Sequence, residues 1–177
     1  MGNTFQWNDR ELLRYLGCKN GIVPDENTKV LIAQCKQELE QAASPRVTWR
    51  EYSLSIQDHV IDMTCFQTRS KSLERNLKDC EQILLFAATL GSQVDVLLHR
   101  YNMIQMSKAV VMQETFCDEE NQKLKEAYQE KGWYLRPRFS PGYGDFPLEC
   151  QRQIAPALEL SKRIGVTLTD SLLMAPS

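Results

Sequence analysis

The most unusual stretch of the sequence is Arg136-Pro-Arg-Phe-Ser-Pro-Gly-Tyr-Gly-Asp-Phe-Pro147. Its three prolines restrict the backbone, while its two glycines allow a close approach to the main-chain N–H groups from Gly142 to Asp145. Its two arginines offer planar forks that suit a carboxylate or a phosphate, and its aromatic rings offer flat surfaces for a purine or a macrocycle. An ordinary Pro/Gly connection, anchored to the core by its aromatic side chains, explains the same composition equally well. Composition alone therefore leaves a ligand-binding loop and a plain connection both open.

The segments around this loop alternate between helical and strand patterns. In chain order they are predicted as two strands within 47–66, a charged helix over 70–79, a buried strand over 83–88, a helix over about 93–131, a strand over 133–135, a mostly helical stretch over 148–163 with a break before Pro156, and a strand that begins at 166.

An N-terminal helical part, about residues 1–45, precedes these segments. It contains a short helix from Asp9 to Leu16 and a second helix that begins at Pro24-Asp25 and ends at Ser44-Pro45. The order of the elements predicts an α+β fold, in which helices pack on a largely antiparallel twisted sheet. We predict one domain over residues 1–177, because no clear linker divides the chain into parts of comparable size.

Composition and charge exclude several classes of protein. The net charge of −2 argues against a protein that binds nucleic acid by bulk electrostatics. The six cysteines are scattered without a C-x-x-C pair and the two histidines stand alone, so no metal site is predicted. Residues 1–20 are too polar for a signal peptide, and the longest apolar run, near Ile83 to Leu90, is too short to span a membrane. We therefore expect a cytoplasmic protein with reduced cysteines.

A second candidate site is the turn Phe86-Ala-Ala-Thr-Leu-Gly-Ser92, which joins a predicted strand to a predicted helix. Exposed N–H groups and the helix dipole at a helix N-terminus favour an anion. The turn lacks the G-x-G-x-x-G spacing, however, and a plain helix cap at Thr89 or Ser92 is the more frequent arrangement. The sequence has no G-x-S-x-G motif around Ser140 and no histidine in a recognisable nucleophile motif.

Two C-terminal segments resemble the activation domain of cobalamin-dependent methionine synthase, in a free-standing form. They are the loop Arg136–Pro147 and the stretch Ser161-Lys-Arg-Ile-Gly-Val-Thr-Leu-Thr-Asp-Ser-Leu-Leu-Met174. The family pattern has an R-x-x-x-G-Y loop, which Arg138, Gly142 and Tyr143 match. A strand of the form "IG-hydrophobic-T-L-T-E-S" follows it, which Ile164-Gly165 and Thr167–Ser171 match.

The resemblance implies an S-adenosylmethionine-binding accessory component that reactivates a corrinoid cofactor. In methionine synthase this domain presses S-adenosylmethionine against the cobalamin domain, where cob(II)alamin is reduced by one electron, usually from flavodoxin, and remethylated. The implied cofactors are S-adenosylmethionine and a cobalamin carried by a partner protein, because this sequence has no D-x-H-x-x-G cobalamin signature. The implied partners are a corrinoid-binding protein or the methionine synthase core, with flavodoxin or another electron donor, and neither nucleic acid nor a membrane.

The same resemblance implies that the chain supplies no catalytic side chain and no metal ligand. Cobalt(I) is itself the nucleophile and the sulfonium is already an activated leaving group, so the protein has to place the methyl carbon and exclude side reactions.

The resemblance also assigns binding roles, residue by residue. Arg138 matches the arginine that holds the carboxylate of the ligand. Gly142, with the main chain through Gly144 and Asp145, matches the loop that binds the adenine. Tyr143 matches the aromatic residue near the cobalamin face.

In the family an acidic side chain on an earlier helix also helps to bind the ligand. Here that helix includes Val110 to Glu114, and Glu114 is the candidate.

Two other functions stay open. One is a non-catalytic module that senses S-adenosylmethionine or docks a corrinoid protein without turnover. The other is a self-contained small-molecule enzyme that uses the turn from Thr89 to Ser92.

Overall fold

The computed structural model describes residues 25–100 and 103–176. Within them the chain forms two compact units, each assembled from separate stretches of sequence. The first, which we call the helical unit, comprises the described residues of 25–46 and 88–123, with Pro176. The second, which we call the loop unit, comprises residues 47–87 and 124–175. The prediction of a single domain over residues 1–177 stays a prediction, and the predicted helix from Asp9 to Leu16 lies outside the described residues.

Helices and short strands alternate along the chain. In order they are helix α1 (Glu26–Ala42), strands β1 (Arg46–Ser53), β2 (Ser55–Gln57), β3 (Val60–Asp62) and β4 (Gln67–Thr68), helix α2 (Lys71–Asn76), strand β5 (Gln82–Thr89), helices α3 (Ser92–Arg100) and α4 (Met103–Gln129), a 3-10 helix (Leu148–Cys150), helices α5 (Gln151–Ala157) and α6 (Leu160–Ile164), and strands β6 (Thr167–Leu168) and β7 (Met174–Ala175). This mixture confirms the predicted α+β fold class.

The strands form small sheets. β2, β3 and β4 form an antiparallel sheet in which Ile61 lies opposite Ile56 on one side and Thr68 on the other. β6 pairs with β7 in antiparallel fashion, and β1 pairs with β5. Asp58 and His59, which join β2 to β3, both have positive φ angles (49° and 61°), as a tight two-residue hairpin requires.

The core of the loop unit combines helices with antiparallel strands. Its buried side chains include Leu54, Ile61, Met63, Leu73, Leu77, Phe146, Cys150, Ile154, Leu158, Leu160, Ile164 and Val166. Leu73 and Leu77 are four residues apart, so they place one face of α2 in this core. The predicted packing of helices on antiparallel strands is therefore confirmed in this unit.

The helical segment that follows the loop is broken after Ala157. The carbonyl oxygen of Ala157 accepts hydrogen bonds from Arg50 Nη1 at 3.1 Å and from the Tyr52 hydroxyl at 2.7 Å, both on β1. Glu159 has a left-handed backbone (φ 51°), and its carboxylate is bound by the Arg50 guanidinium. The sequence placed the break before Pro156, but Pro156 is accommodated inside α5. The break follows Ala157 because side chains of β1 donate hydrogen bonds to the Ala157 carbonyl, which has no partner within the helix.

The strand predicted over Trp133–Leu135 is wrong. These residues follow the end of α4 as irregular backbone, and they pair with no strand in the described residues. Tyr134 is 82% exposed. Aromatic residues favour strands only where a neighbouring strand and a buried face are available, and neither is present at this position.

In the helical unit, α1 packs against α3. The chain after α1 is joined to the turn after β5, because the Ser44 N–H donates to the Leu90 carbonyl oxygen at 2.8 Å. Among the side chains that the structure describes in this unit, the buried apolar ones are Cys35, Leu39, Leu90, Val94, Val111, Met112 and Phe116. Although α4 has 27 residues, no helix within the described part of the chain combines the length and the apolar character needed to cross a membrane.

Replacement of Leu158 by alanine should destabilise the fold strongly. The side chain is 0% exposed, so truncation removes its apolar contacts and leaves a cavity, which lowers the free energy of unfolding by about 2–5 kcal/mol. Urea denaturation followed by circular dichroism measures the change. Leu173→Ala is the matched control, because Leu173 is 65% exposed and its truncation should change the free energy by less than about 0.5 kcal/mol. Equal effects of the two substitutions would contradict the placement of Leu158 in the core.

Candidate functional site

The loop Arg136–Pro147 is folded on itself by main-chain hydrogen bonds. The Gly142 N–H donates to the Phe146 carbonyl at 2.8 Å, the Tyr143 N–H to the Ser140 carbonyl at 3.0 Å, and the Phe146 N–H to the Tyr143 carbonyl at 3.0 Å. Gly142 and Gly144 have φ angles of 90° and 57°, which residues with a Cβ atom rarely adopt. The two glycines are therefore needed for these tight turns.

The aromatic residues of the loop divide into anchors and one exposed ring. Phe146 is 5% exposed and belongs to the core of the loop unit. Phe139 packs between Phe146, with ring centroids 6.3 Å apart, and Tyr143, with centroids 6.0 Å apart in an edge-on arrangement. Tyr143 itself is 69% exposed. The rings thus anchor the loop, as in a plain connection, and also present one flat surface to solvent.

Helix α2 is bound to the loop at both of its ends. At its N-terminus, the Asp145 carboxylate accepts hydrogen bonds from the Ser70 hydroxyl at 2.6 Å, from the Lys71 N–H at 2.8 Å and from the Ser72 N–H at 2.9 Å. Ser70 Oγ also accepts from the Leu73 N–H, so Ser70 is the N-cap of the helix. Orphan N–H groups at the start of α2 are satisfied by the loop.

At the other end of α2, two further hydrogen bonds reach the start of the loop. The Asn76 amide donates to the Pro137 carbonyl at 3.3 Å, and Arg136 Nη2 donates to the Lys78 carbonyl at 2.9 Å. The loop is therefore held along the whole length of a short helix.

The Asp145 carboxylate is engaged by hydrogen-bond donors of the protein itself. Hydrogen bonds from the Ser70 hydroxyl and from the N–H groups of Ser72 and Lys71 hold the pKa of this carboxyl well below its usual range. A carboxylate with three donors is poorly available to a ligand, so any contribution of Asp145 to binding has to come from its main chain. Sequence patterns alone do not identify Ser70 and Ser72 as partners of the loop. A serine before a charged helix suggests an N-cap, but no local pattern identifies a partner 75 residues away.

Main-chain donors remain available at one end of the loop. The N–H groups of Gly142 and Tyr143 are used within the loop, whereas those of Gly144 and Asp145 have no acceptor in the described residues. A Cβ atom at Gly144 would lie 2.7 Å from Ser72 Oγ and 3.0 Å from Ser72 Cβ. Glycine at position 144 therefore permits the close approach to α2.

Five of the six predicted binding residues lie in this loop, and the sixth does not. Arg138 is partly buried and lies in the same loop as Gly142, Tyr143, Gly144 and Asp145. Glu114 is an exposed residue of α4 and belongs to the helical unit. Its assignment as the acidic ligand-binding residue stays a prediction.

The turn from Thr89 to Ser92 is filled by protein groups. The Gly91 N–H donates to Thr89 Oγ1 at 3.0 Å, and the Thr89 hydroxyl donates to the Pro176 carbonyl at 3.2 Å. A Cβ atom at Gly91 would lie 3.2 Å from the Ser44 carbonyl oxygen, and Thr89 is fully buried. This turn is packed as a structural junction and offers no cradle for an anion.

Other kinds of site are absent from the part of the chain that the structure describes. No group of His, Cys, Asp and Glu side chains there can hold a metal ion. The cysteines at 35, 65, 80, 117 and 150 form no disulfide bond with one another. A shallow depression is lined by Val47, Thr48, Trp49 and Arg163, and no residue of the loop lines it.

The substitution Asp145→Asn should lower the free energy of unfolding at neutral pH. A carboxyl whose pKa is lower in the folded state contributes stability that is fully present above its unfolded pKa, about 3.9, and is lost as the pH falls through its folded pKa. The difference between wild type and variant should therefore stay constant from about pH 7 to about pH 5 and shrink below about pH 4. Urea titrations over this pH range measure it. Asp170→Asn, at an exposed carboxylate between β6 and β7, is the control, and the same pH profile in both variants would exclude this role of Asp145.

Comparisons with known proteins give matches to solved structures only. No protein-family model matches the chain, and no curated protein matches it significantly. Among solved structures, the chain is similar to the crystal structure of the MetH reactivation domain bound to AdoHcy. The two share 20% sequence identity with a TM-score of 0.60, over 94% of this chain and 71% of that chain. The fold implied by the two C-terminal segments is thus confirmed: this chain has the fold of the MetH reactivation domain.

Proposed function

We propose that this chain binds S-adenosylmethionine through the loop Arg136–Pro147 and is an accessory component for the reductive remethylation of a corrinoid cofactor. The corrinoid would be carried by methionine synthase or by a related corrinoid methyltransferase. The observation that carries this proposal is the similarity, over 94% of the chain, to a MetH reactivation domain that was crystallised with AdoHcy.

The geometry of the loop fits an adenosyl ligand. The N–H groups of Gly144 and Asp145 are donors of the kind that bind the edge of an adenine. Arg138 lies in the same loop, where its planar guanidinium suits the ligand's carboxylate. The exposed ring of Tyr143 provides a flat apolar surface beside these groups.

The loop is also arranged in advance of binding. Its main-chain hydrogen bonds and its contacts with α2 fix the positions of the donors before a ligand arrives. A binding site that is already ordered loses less conformational entropy when the ligand binds.

The chemistry requires little of the side chains beyond orientation. When bound, S-adenosylmethionine supplies a methyl group on a sulfonium, which is an activated leaving group. The loop residues hold the ligand in one orientation and shield it from water, and neither task needs a side chain that moves a proton. The carboxylate of Asp145 is already occupied by three donors, so it serves as a fixed structural group.

Several parts of this function extend beyond the loop. Glu114 on α4 stays the candidate for the acidic ligand-binding side chain. The cobalamin would be carried by a partner protein, and flavodoxin or another donor would supply the electron. The transfer would then occur where the partner covers the exposed face of Tyr143.

Two measurements test this function. Titration calorimetry should show saturable binding of S-adenosylmethionine to the chain. Under one-electron reducing conditions, a cobalamin on a partner protein should then become methylated at the expense of S-adenosylmethionine. Binding without any transfer would identify a sensing or docking module instead, and the absence of binding would refute the proposal.

Arg138→Ala should weaken the binding of S-adenosylmethionine by roughly tens- to hundreds-fold. Loss of a charge-assisted bidentate contact costs on the order of 2–4 kcal/mol when the partner group is left buried without it. Titration calorimetry on the purified variant measures the affinity. Arg152→Ala, which removes an exposed arginine on α5, is the control and should leave the affinity unchanged. Equal affinities for wild type and Arg138→Ala would show that another group binds the carboxylate.

Gly144→Ala should weaken ligand binding, whereas Gly132→Ala should not. Both glycines have left-handed backbones (φ 57° and 81°), so both substitutions should lower the free energy of unfolding by about 1 kcal/mol. A Cβ atom at Gly132 meets nothing within 4 Å, but one at Gly144 collides with Ser72.

The collision should displace the donors at Gly144 and Asp145 and weaken the affinity for S-adenosylmethionine about tenfold, or about 1.4 kcal/mol. Unfolding and calorimetric titrations on the same two variants separate the backbone effect from the steric one. A similar affinity in both variants would remove these donors from the proposed site.

A further inference from the structure

Positive charge is concentrated on α2 and on the loop. Segments 69–79 and 136–145 contain six lysines and arginines and three carboxylates. The rest of the chain contains the remaining fifteen of 21 cations and twenty of 23 carboxylates. A local basic surface therefore exists on a chain whose net charge is −2.

Four of these cations form one surface, which we call the basic band: Lys71, Arg75, Lys78 and Arg136. The first three follow helical spacing (i, i+4, i+7) and are exposed. Lys71 and Arg75 lie on the side of α2 away from the buried Leu73, and Lys78 lies in the turn just after the helix.

Hydrogen bonds connect the members of the band. Arg75 Nε donates to the Lys71 carbonyl at 3.3 Å, so the Arg75 side chain lies back along the helix. Arg136 Nη2 donates to the Lys78 carbonyl, which places the fourth cation at the end of the same row.

Three carboxylates lie near the band and offset part of its positive charge. Glu74 is bound to His59 Nδ1 at 3.0 Å, and Asp145 accepts its three hydrogen bonds at the start of α2. Asp79 is exposed next to Lys78. Within residues 25–100 and 103–176, none of the four band cations forms an ion pair with a carboxylate.

We propose that the basic band docks an acidic surface on the protein that carries the corrinoid. This inference rests on the proposed function, because methyl transfer requires that protein to cover the exposed face of Tyr143. The loop is hydrogen-bonded at both ends of α2, so the band lies beside the loop that such a protein would cover. Opposite charges then guide the two surfaces together and set their orientation.

A protein partner fits this surface better than a nucleic acid does. Trp133 and Tyr134, just before Arg136, are 47% and 82% exposed. Exposed tyrosine, tryptophan and arginine side chains are enriched at protein interfaces.

The test is a triple variant, Lys71→Gln/Arg75→Gln/Lys78→Gln, compared with wild type. The probe is cobalamin-loaded methionine synthase from which its own reactivation domain has been removed. Stopped-flow association at about 50 mM salt should be about tenfold slower for the triple variant, and the difference should vanish near 0.5 M salt, where the screening length is only about 4 Å. Affinity for S-adenosylmethionine and methyl transfer to free cobalamin in solution should be unchanged, because none of the three substituted side chains is among the proposed ligand-binding residues.

A matched triple variant, Lys125→Gln/Arg152→Gln/Lys162→Gln, removes the same charge from other positions of the loop unit and should associate at the wild-type rate. Equal rates for the two triple variants, or no association of the wild type at low salt, would overturn the docking proposal even if S-adenosylmethionine binds. Failure of the wild type to bind S-adenosylmethionine would instead overturn the proposed function. A band-dependent affinity for single-stranded RNA without any effect on the protein probe would assign the surface to a different partner and overturn the inference.

Discussion

The geometry of the candidate site depends on the contact between the Asp145 carboxylate and the first turn of α2. The helix has six residues, which is too short to be stable alone. Its first N–H groups need acceptors, and the loop supplies the acceptor. In return the helix fixes the end of the loop at which Gly144 and Asp145 leave their own N–H groups available. Neither element would hold its position without the other.

The loop also shows how one segment can be a structural connection and a candidate binding surface together. Phe146 and Phe139 anchor it to the core, as an ordinary Pro/Gly connection would be anchored. The ring of Tyr143 is exposed, and the N–H groups of Gly144 and Asp145 have no acceptor in the described residues. Composition could not separate the two interpretations, because both apply to different residues of the same loop.

Local patterns predicted the parts of the fold that depend on local physics. The spacing of Leu73 and Leu77 identified the buried face of α2, and the two C-terminal segments identified a fold that 20% overall identity conceals. The patterns failed where distant residues decide the outcome. Side chains of β1 determine where the helix after Pro156 breaks, and the absence of a neighbouring strand leaves Trp133–Leu135 irregular.

The candidate site was predictable to a similar degree. The loop residues could be predicted together because they are adjacent in sequence, and their binding roles stay predictions. The bond between Ser70 and Asp145 joins positions 75 residues apart, and no pattern within either segment indicates it. Glu114 belongs to the helical unit, and neither the fold nor the loop geometry decides its role.

The close approach of Gly144 to Ser72 implies that evolution cannot change these two positions independently. A bulkier residue at position 72 would force the glycine turn away from the helix. Such a substitution would be tolerated only together with a compensating change in the turn. Alignments of relatives should therefore show covariation between a short charged helix and a proline-glycine loop that are far apart in sequence. Grafting the loop into another scaffold would succeed only if the helix were transplanted with it, because the loop and the helix form one structural module.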